Sequence, residues 1–529
     1  MKKNTKFNIL LLFISIITVV FAILPEFGRM YIPTHDGEYH IIRIVEFARM
    51  LSQGNMVPRW APTLNSGYGV PVFQFNYPLP NYIGSFLRLF THDAVYAYQW
   101  AIGFGYLFVA VALFLWLESV FGIYPAIIGA MVGAFTPYLF VDTFIRGSIG
   151  EVWAIGFLCL TLFGIEKNKF TLTALSFACI IVSHNILALV FTPFLLIYTW
   201  IVNKKSYWPL AAGIGLASFF WLPALAEQKF VQGLNTVNFR EHFVEFYELI
   251  VPSWGSAFSG SGMVGNTLSF QIGLAPIVAL ILALFSFKGI KNKKITASLS
   301  FLLFVFAVCI FLMMRVSESI WRAIPLMQNI QYPWRLLSFV IPVVGFCAAL
   351  WVSRLKRAWL GVLLAAFAVI VTISYARPVL YQPRNEAYYL ARSNFTDGTS
   401  SMGNAFSTIW TGWKSARPPS SVAIQNGRLV KQIKDAYLNK QFTVSMSKPG
   451  AVTENILYFP GWMVLVDNKV TQISYKTDGI ISFNVPAGNH SITVQFGETP
   501  IRRFSDVVSL LSLGLVIAWG ILHLYEHRN

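Results

Sequence analysis

Long apolar segments, separated by short polar loops, run through most of this 529-residue chain. A helix needs about 20 residues to cross a hydrocarbon core of about 30 Å, and most of the apolar segments approach that length. The pattern therefore predicts about twelve membrane-spanning helices. They lie near residues 7–25, 94–117, 123–141, 150–165, 170–183, 186–202, 208–226, 269–287, 296–313, 334–352, 358–375 and 504–524.

Basic residues cluster in alternate loops between these segments. The positive-inside rule places such loops on the cytoplasmic side, so we expect both termini to be cytoplasmic and the intervening loops to be extracytoplasmic. No small-x-small cleavage site follows the first apolar segment, which we interpret as an uncleaved span. The basic positions are Lys2, Lys3, Lys6, Lys167, Lys169, Lys204, Lys205, Lys288, Lys291, Lys293, Lys294, Arg354, Lys356 and Arg357.

The composition excludes a soluble enzyme, because 56% of the residues are hydrophobic and only 12% are charged. The formal net charge of +17 does not indicate a nucleic-acid partner, since the lysines lie mainly in the short loops that set the topology. The four cysteines lack CxxC spacing, so neither a disulfide framework nor a zinc site is indicated. The sequence also contains no Walker loop, dinucleotide fingerprint or Ser-His-Asp order.

Two polar regions interrupt the apolar pattern. The first is the long loop 26–93, in which residues 37–53 carry an apolar stripe with helical spacing, typical of a helix that lies along a membrane surface. The second is 376–503, where apolar and polar residues alternate. This alternation, with turns at Asp467-Asn468 and Asp478-Gly479, predicts antiparallel strands that form a small β-sandwich.

The predicted fold class is therefore a polytopic α-helical membrane protein with an extracytoplasmic β-sandwich near the C-terminus. We divide the chain into a transmembrane domain, residues 1–375, and a β-rich domain, residues 376–503. Residues 504–529 form a last transmembrane helix and a cytoplasmic tail. Both polar regions are expected on the outer side of the cytoplasmic membrane.

The run Pro33-Thr34-His35-Asp36-Gly37-Glu38-Tyr39-His40 places four ionisable side chains at the predicted membrane edge. Ionisable groups beside a bilayer cost solvation free energy and usually have a function. If a helix begins near Gly37, the side chains of Asp36, His40 and Arg43 share one face of that helix.

The candidate catalytic residues of this run are Asp36, His35 and His40, and Glu38 and Arg43 are candidate substrate-binding residues. With His35 or His40 assisting it, the Asp36 carboxylate can accept a proton from an incoming hydroxyl group. Together with Glu38 it can also bind a divalent metal ion such as Mg²⁺ or Mn²⁺. The alternative is that Asp36 only caps the helix that follows.

Two further outer loops contain candidate substrate-binding residues. Arg146 and Glu151 flank two glycines in a short turn, where backbone N–H groups and a guanidinium can approach an anion; the alternative is a solvated ion pair. His184 and Asn185 interrupt an apolar stretch, and His184 can donate a hydrogen bond to a phosphate. The alternative is a capped turn with Asn185 or Ser183 as the N-cap.

Arg335 begins a predicted span from the outer side and is also a candidate substrate-binding residue. Its guanidinium can clamp a lipid phosphate, or it can extend toward the lipid headgroups. Arg240, Glu241, His242 and Glu245 lie in another outer loop, and we interpret them as a solvated helix face.

The layout of the chain resembles the GT-C superfamily, which consists of integral-membrane glycosyltransferases that use polyprenyl-phosphate-linked sugars. The segment from His35 to His40, with Trp60, Gly67-Tyr68-Gly69 and Asn76-Tyr77-Pro78, resembles the bacterial branch called the 6-pyruvoyl-tetrahydropterin synthase-related membrane domain. That label does not imply a soluble, zinc-dependent pterin enzyme. The outer domain is similar to that of YfhO-like bacterial membrane proteins, and the similar motifs are Phe459-Pro460-Gly461-Trp462 and Val466-Asp467-Asn468-Lys469.

The resemblance implies an inverting transfer of a sugar from a polyprenyl-phosphate donor to an envelope glycopolymer, glycolipid or protein. In this interpretation Asp36 matches the acidic first-loop residue that acts as a base or metal ligand. Glu38 is not adjacent to Asp36, so the paired-acid motif of the protein mannosyltransferases is absent. Two alternatives are a flippase or transporter of lipid-linked glycans and a non-catalytic scaffold of an envelope assembly complex.

Overall fold

The computed structural model describes residues 5–233, 237–260, 267–393, 397–411, 413–414 and 416–526. Most of this part of the chain is helical. In chain order the α-helices are α1 (Thr5–Ile23), α2 (Gly37–Ser52), α3 (Val72–Phe75), α4 (Leu79–Thr91), α5 (Ala94–Phe121), α6 (Ile123–Ala134), α7 (Pro137–Phe140), α8 (Ile149–Glu166), α9 (Phe170–Ser183), α10 (Asn185–Val202), α11 (Tyr207–Leu216), α12 (Ser218–Glu227), α13 (Phe246–Ile250), α14 (Leu274–Phe285), α15 (Lys293–Met313), α16 (Glu318–Ala323), α17 (Pro325–Gln328), α18 (Val340–Ser353), α19 (Trp359–Thr372), α20 (Glu386–Leu390) and α21 (Pro500–Glu526).

Seven helices within the described ranges are long and apolar enough to cross a membrane, and two bent helix pairs raise this number to nine. All of the predicted spans coincide with apolar helices, which confirms the polytopic helical class. The predicted number of twelve is not confirmed, because α9, α14 and the segment Trp359–Tyr375 are shorter apolar helices. The seven long spans are Thr5–Phe27, Ala94–Phe121, Ile149–Glu166, Asn185–Val202, Lys293–Met313, Pro333–Ser353 and Pro500–Leu522.

The span predicted near 123–141 is broken between α6 and the segment Pro137–Arg146, with a bend of 55°. Pro137 causes the break, because proline lacks an amide hydrogen and excludes the preceding residue from helical conformation. Thr136 is accordingly extended, with ψ 139°. The chain continues through a π-helical turn, Val141–Arg146, and this irregular segment ends at the candidate site residue Arg146.

Helix α2 is largely buried by other parts of the protein, so its apolar stripe does not face lipid, and its position along the membrane surface stays a prediction. Ile41, Ile44, Phe47 and Met50 are each at most 1% exposed, and the helix packs on α4 and α5. Ile44 and Phe47 widen the apolar surface of α2 beyond the predicted stripe. Protein rather than lipid therefore covers this wider surface of the helix.

The C-terminal region contains two antiparallel sheets, as the alternating pattern predicts. One sheet has three strands in the order β1-β4-β7, and the other has five in the order β2-β3-β8-β5-β6. Asp467 and Asn468 both have positive φ angles and form the predicted two-residue turn between β5 and β6. The strands are β1 (Val422–Ile424), β2 (Gly427–Ala436), β3 (Asn439–Met446), β4 (Gly450–Leu457), β5 (Trp462–Val466), β6 (Lys469–Thr471), β7 (Ile480–Val485) and β8 (Gly488–Phe496).

The first loop and the sheets share one hydrophobic core. Trp60 packs on Trp462, with ring centroids 5.7 Å apart, and Phe75 packs on Phe459 at 6.0 Å. The first strand begins at Val422. The described residues between 376 and 421 form irregular segments, a short 3₁₀ turn and the short helix α20. These segments pair with the first loop, as in the hydrogen bond from Asn65 N to Gly398 O (2.7 Å).

Candidate functional site

A cavity of about 540 Å³ lies where the first loop, the broken span and the segment after α20 meet. We call it the Asp36 cavity. Its volume falls in the range of small-molecule sites. The charged and polar side chains that line it include His35, Asp36, Tyr39, His40, Arg43, Asn76, Tyr77, Arg146, His184, Asn185, Glu241, His242, Tyr332, Arg335 and Ser401.

Backbone hydrogen bonds hold the segment before α2 against the π-helical turn. His35 N donates to Ile145 O (3.0 Å), and Asp36 N donates to Arg146 O (2.9 Å). Gly147 makes this approach possible: it has φ 66°, and a Cβ there would lie 2.1 Å from the Tyr98 hydroxyl. The arrangement fixes Asp36 beside Arg146 before any ligand binds.

Asp36 occupies the N-cap position of α2, yet its side chain makes no capping hydrogen bond. Within the described ranges its carboxylate has no hydrogen-bond or ion-pair partner, although it lines the Asp36 cavity. His40 and Arg43 line the same cavity, in agreement with the helical spacing of the three residues. Capping therefore does not account for Asp36, and its carboxylate is available to a ligand.

The two histidines that flank Asp36 have different surroundings. His35 Nε2 is 2.8 Å from Ser256 O, and its ring stacks on Phe258 with centroids 4.1 Å apart. His40 is buried and stacks on Tyr98. Burial lowers the pKa of both imidazoles, and the nearby Arg43 and His184 add to the effect at His40, whose pKa lies well below its usual value.

Arg43 is a buried cation with an incomplete set of partners. Its Nε donates to Ser400 O and Ser400 Oγ, both at 3.1 Å, and its Nη2 also contacts Ser400 O. Across the residues that the structure describes, no carboxylate lies within ion-pair distance of this guanidinium. A buried, uncompensated guanidinium is costly, so this group favours an anion in the cavity.

Arg146 and Glu151 form a buried ion pair, so the alternative of a solvated pair is wrong. Glu151 accepts from Arg146 Nη1 (2.6 Å) and Nη2 (2.7 Å), and from Arg335 Nε (2.8 Å). Arg146 also pairs with Asp142. Arg335 is thus drawn into the protein and does not extend to the lipid headgroups. The carboxylates compensate both arginines while leaving them at the cavity wall.

The N-cap of α10 is His184. Neither Asn185 nor Ser183, the two N-caps proposed from the sequence, occupies that position. Its Nδ1 accepts from Leu187 N (3.2 Å), so the ring proton lies on Nε2, 3.7 Å from Glu151 Oε1. Asn185 Nδ2 donates to Phe75 O (2.9 Å). Both residues line the Asp36 cavity, where His184 presents a hydrogen-bond donor.

Glu38 points away from Asp36, toward a second cavity. Its Oε1 accepts from Arg384 Nη1 (2.9 Å) and lies 3.3 Å from the Tyr389 hydroxyl. In the described part of the chain, no group of three or more His, Cys, Asp and Glu side chains is placed to hold a metal ion. The predicted metal pair of Asp36 and Glu38 therefore does not fit the structure.

The loop between α12 and α14 contributes residues that sequence reasoning assigned to a solvated helix face. Phe239–His242 is a 3₁₀ turn, Arg240 and Glu241 are exposed, but both Glu241 and His242 line the cavity. His242 Nδ1 lies 2.9 Å from Ser259 Oγ, and its ring packs edge-on against Tyr332. The one signal in the sequence for a site role of this loop was that a carboxylate and an imidazole, Glu241 and His242, are adjacent.

The cavity therefore combines a free carboxylate with cationic and neutral donors. Asp36 can accept a proton, while Arg43, Arg146 and Arg335 create a positive potential in the same cavity. Neutral histidines can donate or accept without adding charge. Such a site can bind an anionic group and deprotonate a hydroxyl beside it.

Comparisons with known proteins give relatives of limited similarity. A protein described as uncharacterized from Lactococcus lactis subsp. cremoris (strain MG1363) is 23% identical over 349 residues, which cover 59% of this chain and 54% of that protein. The chain thus spans about half the length of this relative.

Three solved structures resemble the fold. The arabinofuranosyltransferase AftD from Mycobacteria has a TM-score of 0.47 and 13% identity, over 75% of this chain and 29% of that one. ArnT from Cupriavidus metallidurans, bound to undecaprenyl phosphate, has a TM-score of 0.41 and 11% identity, over 69% and 63%. The Archaeoglobus fulgidus oligosaccharyltransferase, in a complex with Zn and sulfate, has a TM-score of 0.38 and 13% identity, over 72% and 54%.

A family model extends over more than half of the chain. The model described as the 6-pyruvoyl-tetrahydropterin synthase related domain, a membrane protein family, matches residues 73–381. This range includes the broken span and the residues from Arg146 to Arg335 that line the cavity. The chain therefore belongs to the 6-pyruvoyl-tetrahydropterin synthase related family of membrane proteins.

Proposed function

We propose that the protein is a membrane glycosyltransferase that moves a sugar from a polyprenyl-phosphate donor to a hydroxyl acceptor, with Asp36 as the general base. The observation that carries this proposal is the Asp36 carboxylate, which has no hydrogen-bond partner in the described ranges and shares its cavity with three arginines. The donor class follows from the resemblance of the first loop to the GT-C superfamily. The site would lie at the outer face of the bacterial cytoplasmic membrane.

In the proposed step the acceptor oxygen attacks the anomeric carbon of the donor sugar. The bond between that carbon and the phosphate oxygen breaks, and its electron pair stays on the phosphate. The acceptor proton moves to a carboxylate oxygen of Asp36. The products are a glycoside of inverted configuration and a free polyprenyl phosphate, and the protonated Asp36 then returns its proton to solvent.

Arg43 is the first candidate to bind the donor phosphate, because no described carboxylate compensates its charge. Arg146 and Arg335 already pair with Glu151, so they contribute mainly to the local potential. His184 can donate from Nε2. A preorganised set of such donors stabilises the negative charge that develops on the leaving phosphate.

The acceptor in this proposal is an envelope glycopolymer, glycolipid or protein that reaches the cavity along the β-rich region. That region contributes directly to the cavity wall through Ser401, Met402 and Phe406. Membrane lipids surround the helices. The described residues form no ligand set for a metal ion, so the proposed step relies on the side chains of the protein.

A complementation experiment tests the proposal. Cells that lack the protein receive the wild type, Asp36→Asn, His40→Ala or the control Asp435→Asn at matched membrane abundance, and their surface glycans are profiled by mass spectrometry. Asp435 is an exposed residue of β2 that lines neither cavity. We expect Asp36→Asn to lose a sugar that the wild type and Asp435→Asn restore. Full restoration by Asp36→Asn would overturn the assignment of Asp36 as the base.

A transporter of lipid-linked glycans is the second candidate, because the structure contains buried charges beside a bent helix pair. Asp142, Arg146 and Glu151 are at most 3% exposed, and broken helices with ionisable groups are typical of transporter sites. A transporter predicts that Glu151→Gln abolishes the glycan while Asp36→Asn retains it. Profiles of cells that receive Glu151→Gln, compared with the Asp36→Asn profiles, therefore separate the two functions.

A further inference from the structure

A second cavity of about 380 Å³ adjoins the Asp36 cavity, and we call it the Trp413 cavity. His35, Tyr39 and Ser401 line both cavities, so the two volumes meet beside Asp36. One wall comes from α2, through Glu38, Tyr39 and Ile42, and the other comes from residues 398–404. Nothing in the proposed phosphate site uses this volume.

The lining of the Trp413 cavity is polar but almost without net charge. Thr399, Ser400, Ser401 and Asn404 provide hydroxyl and amide groups. The charge of Glu38 is compensated by Arg384, at 2.9 Å. In contrast to the Asp36 cavity, which presents three guanidinium groups, this lining favours a neutral ligand that forms many hydrogen bonds.

The hydroxyl groups on this wall are held in place by one another. Thr399 Oγ1 lies 3.0 Å from Ser401 Oγ and donates to Asn404 Oδ1 at 2.9 Å. Ser400 Oγ also contacts the backbone oxygen of Tyr39 at 3.2 Å. A wall that is already ordered loses little conformational entropy when a ligand binds.

Ser400 adopts an unusual backbone conformation at the junction of the cavities. Its φ angle is 52°, a left-handed region that non-glycine residues rarely occupy and that tends to be retained at functional sites. Arg43 binds both its carbonyl oxygen and its hydroxyl. Arg43, the residue proposed to bind the donor phosphate, thereby also holds the wall of the neighbouring cavity in place. This shared residue couples the two cavities.

Trp413 completes the cavity with an aromatic surface. Its side chain is 50% exposed, and its indole nitrogen donates to Asp397 O at 3.1 Å. A half-exposed tryptophan beside hydroxyl and amide groups suits a sugar ring, which has apolar C–H faces and a rim of hydroxyl groups. A phospholipid headgroup would instead require uncompensated charge.

We infer that the Trp413 cavity is the acceptor subsite and that it binds a neutral sugar residue whose free hydroxyl projects toward Asp36. The inference rests on the proposed function, since it identifies the second substrate of the same reaction. It also names the acceptor class: a glycan, and neither a polypeptide side chain nor a lipid headgroup.

Photo-crosslinking in cells tests this assignment. The benzophenone amino acid p-benzoylphenylalanine replaces Trp413, which keeps an aromatic group at the cavity, or replaces Val470, an exposed residue of β6 that serves as the control. After irradiation, the purified protein is digested and its adducts are identified by mass spectrometry. We expect a glycan adduct at position 413 and none at position 470.

Two substitutions accompany the crosslinking experiment. We expect Trp413→Ala to lower the amount of transferred sugar at least tenfold at matched abundance, while Trp413→Phe retains most of it, because the aromatic face is what binds. Adducts that contain only lipid or peptide, or a glycan adduct of equal yield at position 470, would overturn the inference. Equal activity of Trp413→Ala and wild type would do the same.

The Asp36→Asn background separates this inference from the proposed function. Removal of the base leaves the acceptor subsite intact, so the adduct at position 413 should persist when transfer stops. A glycan adduct combined with unchanged surface glycans in Asp36→Asn cells would reject the transferase and keep the glycan site. Loss of the surface sugar without any glycan adduct would reject the subsite and keep the transferase.

Discussion

Two clusters of buried charge in the described part of the chain differ in how fully each charged group is satisfied. The first surrounds the Asp36 cavity, where the Asp36 carboxylate has no partner in the described ranges and the hydrogen bonds of Arg43 that the structure describes all go to Ser400. The second lies between α12 and α21 and centres on Glu227 and Arg502. We call it the Glu227 cluster.

In the Glu227 cluster both central charged groups, Glu227 and Arg502, have a full set of hydrogen-bond partners among the described residues. Glu227 accepts from Arg502 Nη2 (2.8 Å) and Nε (3.0 Å), and also from Gln74 and Thr499 at 2.8 Å each. Arg502 also donates to the backbone oxygen of Pro460 at 2.8 Å. The cluster connects α21, the first loop and the β-rich region. Within the described residues it leaves neither Glu227 nor Arg502 available to a ligand.

The comparison shows how saturation distinguishes a structural ion pair from a binding site. Removal of one partner from a saturated buried pair leaves an uncompensated charge, which is strongly destabilising. Removal of a charge that has no partner costs the fold little, and its loss appears only when a ligand should bind. Stability and activity should therefore respond oppositely in the two clusters.

The largest expected effect is on the transfer rate of Asp36→Asn. Because a positioned general base typically contributes a factor of about 10²–10⁴, the rate should fall by that amount. The unfolding temperature in detergent should not change, since the side chain makes no hydrogen bond that the structure describes. Transfer activity in membranes checks the predicted fall in rate, and thermal unfolding of the same preparation checks the unchanged stability. A large fall in stability would assign Asp36 a structural role.

The reverse result is expected for Arg502→Met in the Glu227 cluster. The substitution leaves Glu227 buried without its cation, so the free energy of unfolding should decrease by about 3–5 kcal/mol. Arg503→Met is the matched control, because Arg503 is the adjacent arginine of α21 and is exposed. Thermal unfolding in lipid nanodiscs measures both. An Arg502→Met protein as stable as Arg503→Met would contradict the comparison.

The two clusters also differ in how far they could be predicted from the sequence. The spacing of Asp36, His40 and Arg43 predicted their common helix face, because the helical period alone determines it. The partners Glu227 and Arg502 are separated by 275 positions, and no local period encodes such a pair. The positions of the strands and turns were likewise predictable, since they follow from short-range alternation.

The wall formed by residues 398–404 could not be predicted from the sequence. Its sequence has neither a helical nor a strand period, so its position against α2 depends on distant contacts such as those of Ser400 with Arg43. For the same reason the partner of Glu38 could not be predicted, since Arg384 follows it by 346 positions. Charge patterns identified which loops carry the chemistry, whereas tertiary packing decided which carboxylate stays free.

Arg43→Lys tests whether the unsatisfied guanidinium binds the donor phosphate. Lysine keeps the charge but loses the planar fork that can bind Ser400 and a phosphate together. Since a hydrogen bond to a charged group contributes about 1.5–3 kcal/mol, we expect the donor concentration for half-maximal transfer to rise about tenfold or more. Arg49→Lys, on the same helix but paired with Glu46, is the control; equal shifts in the two variants would remove Arg43 from the site.

The smallest expected effect is on the pH dependence of stability, and it comes from His40. Burial holds the pKa of folded His40 well below its usual value, so below about pH 6.5 the unfolded chain binds a proton that the folded chain does not. The free energy of unfolding should therefore decrease as the pH falls from about 6.5 to 5, by at most about 1.4 kcal/mol per pH unit for this group. His40→Gln should flatten that decrease.

His490→Asn provides a control of opposite sign for His40→Gln. Asp467 raises the pKa of the half-buried His490, whose Nδ1 lies 2.7 Å from the exposed aspartate. This pair therefore stabilises the fold at low pH, and its stabilisation is lost as the pH rises through the raised pKa. His490→Asn should therefore remove the loss of stability that occurs as the pH rises above about 6.5 and leave the slope below about pH 6.5 nearly unchanged. The effect should be small because water screens the pair. Thermal unfolding of the three proteins from about pH 5 to about pH 8 measures both signs, and an unchanged slope below about pH 6.5 in His40→Gln would show that burial of His40 is not the cause.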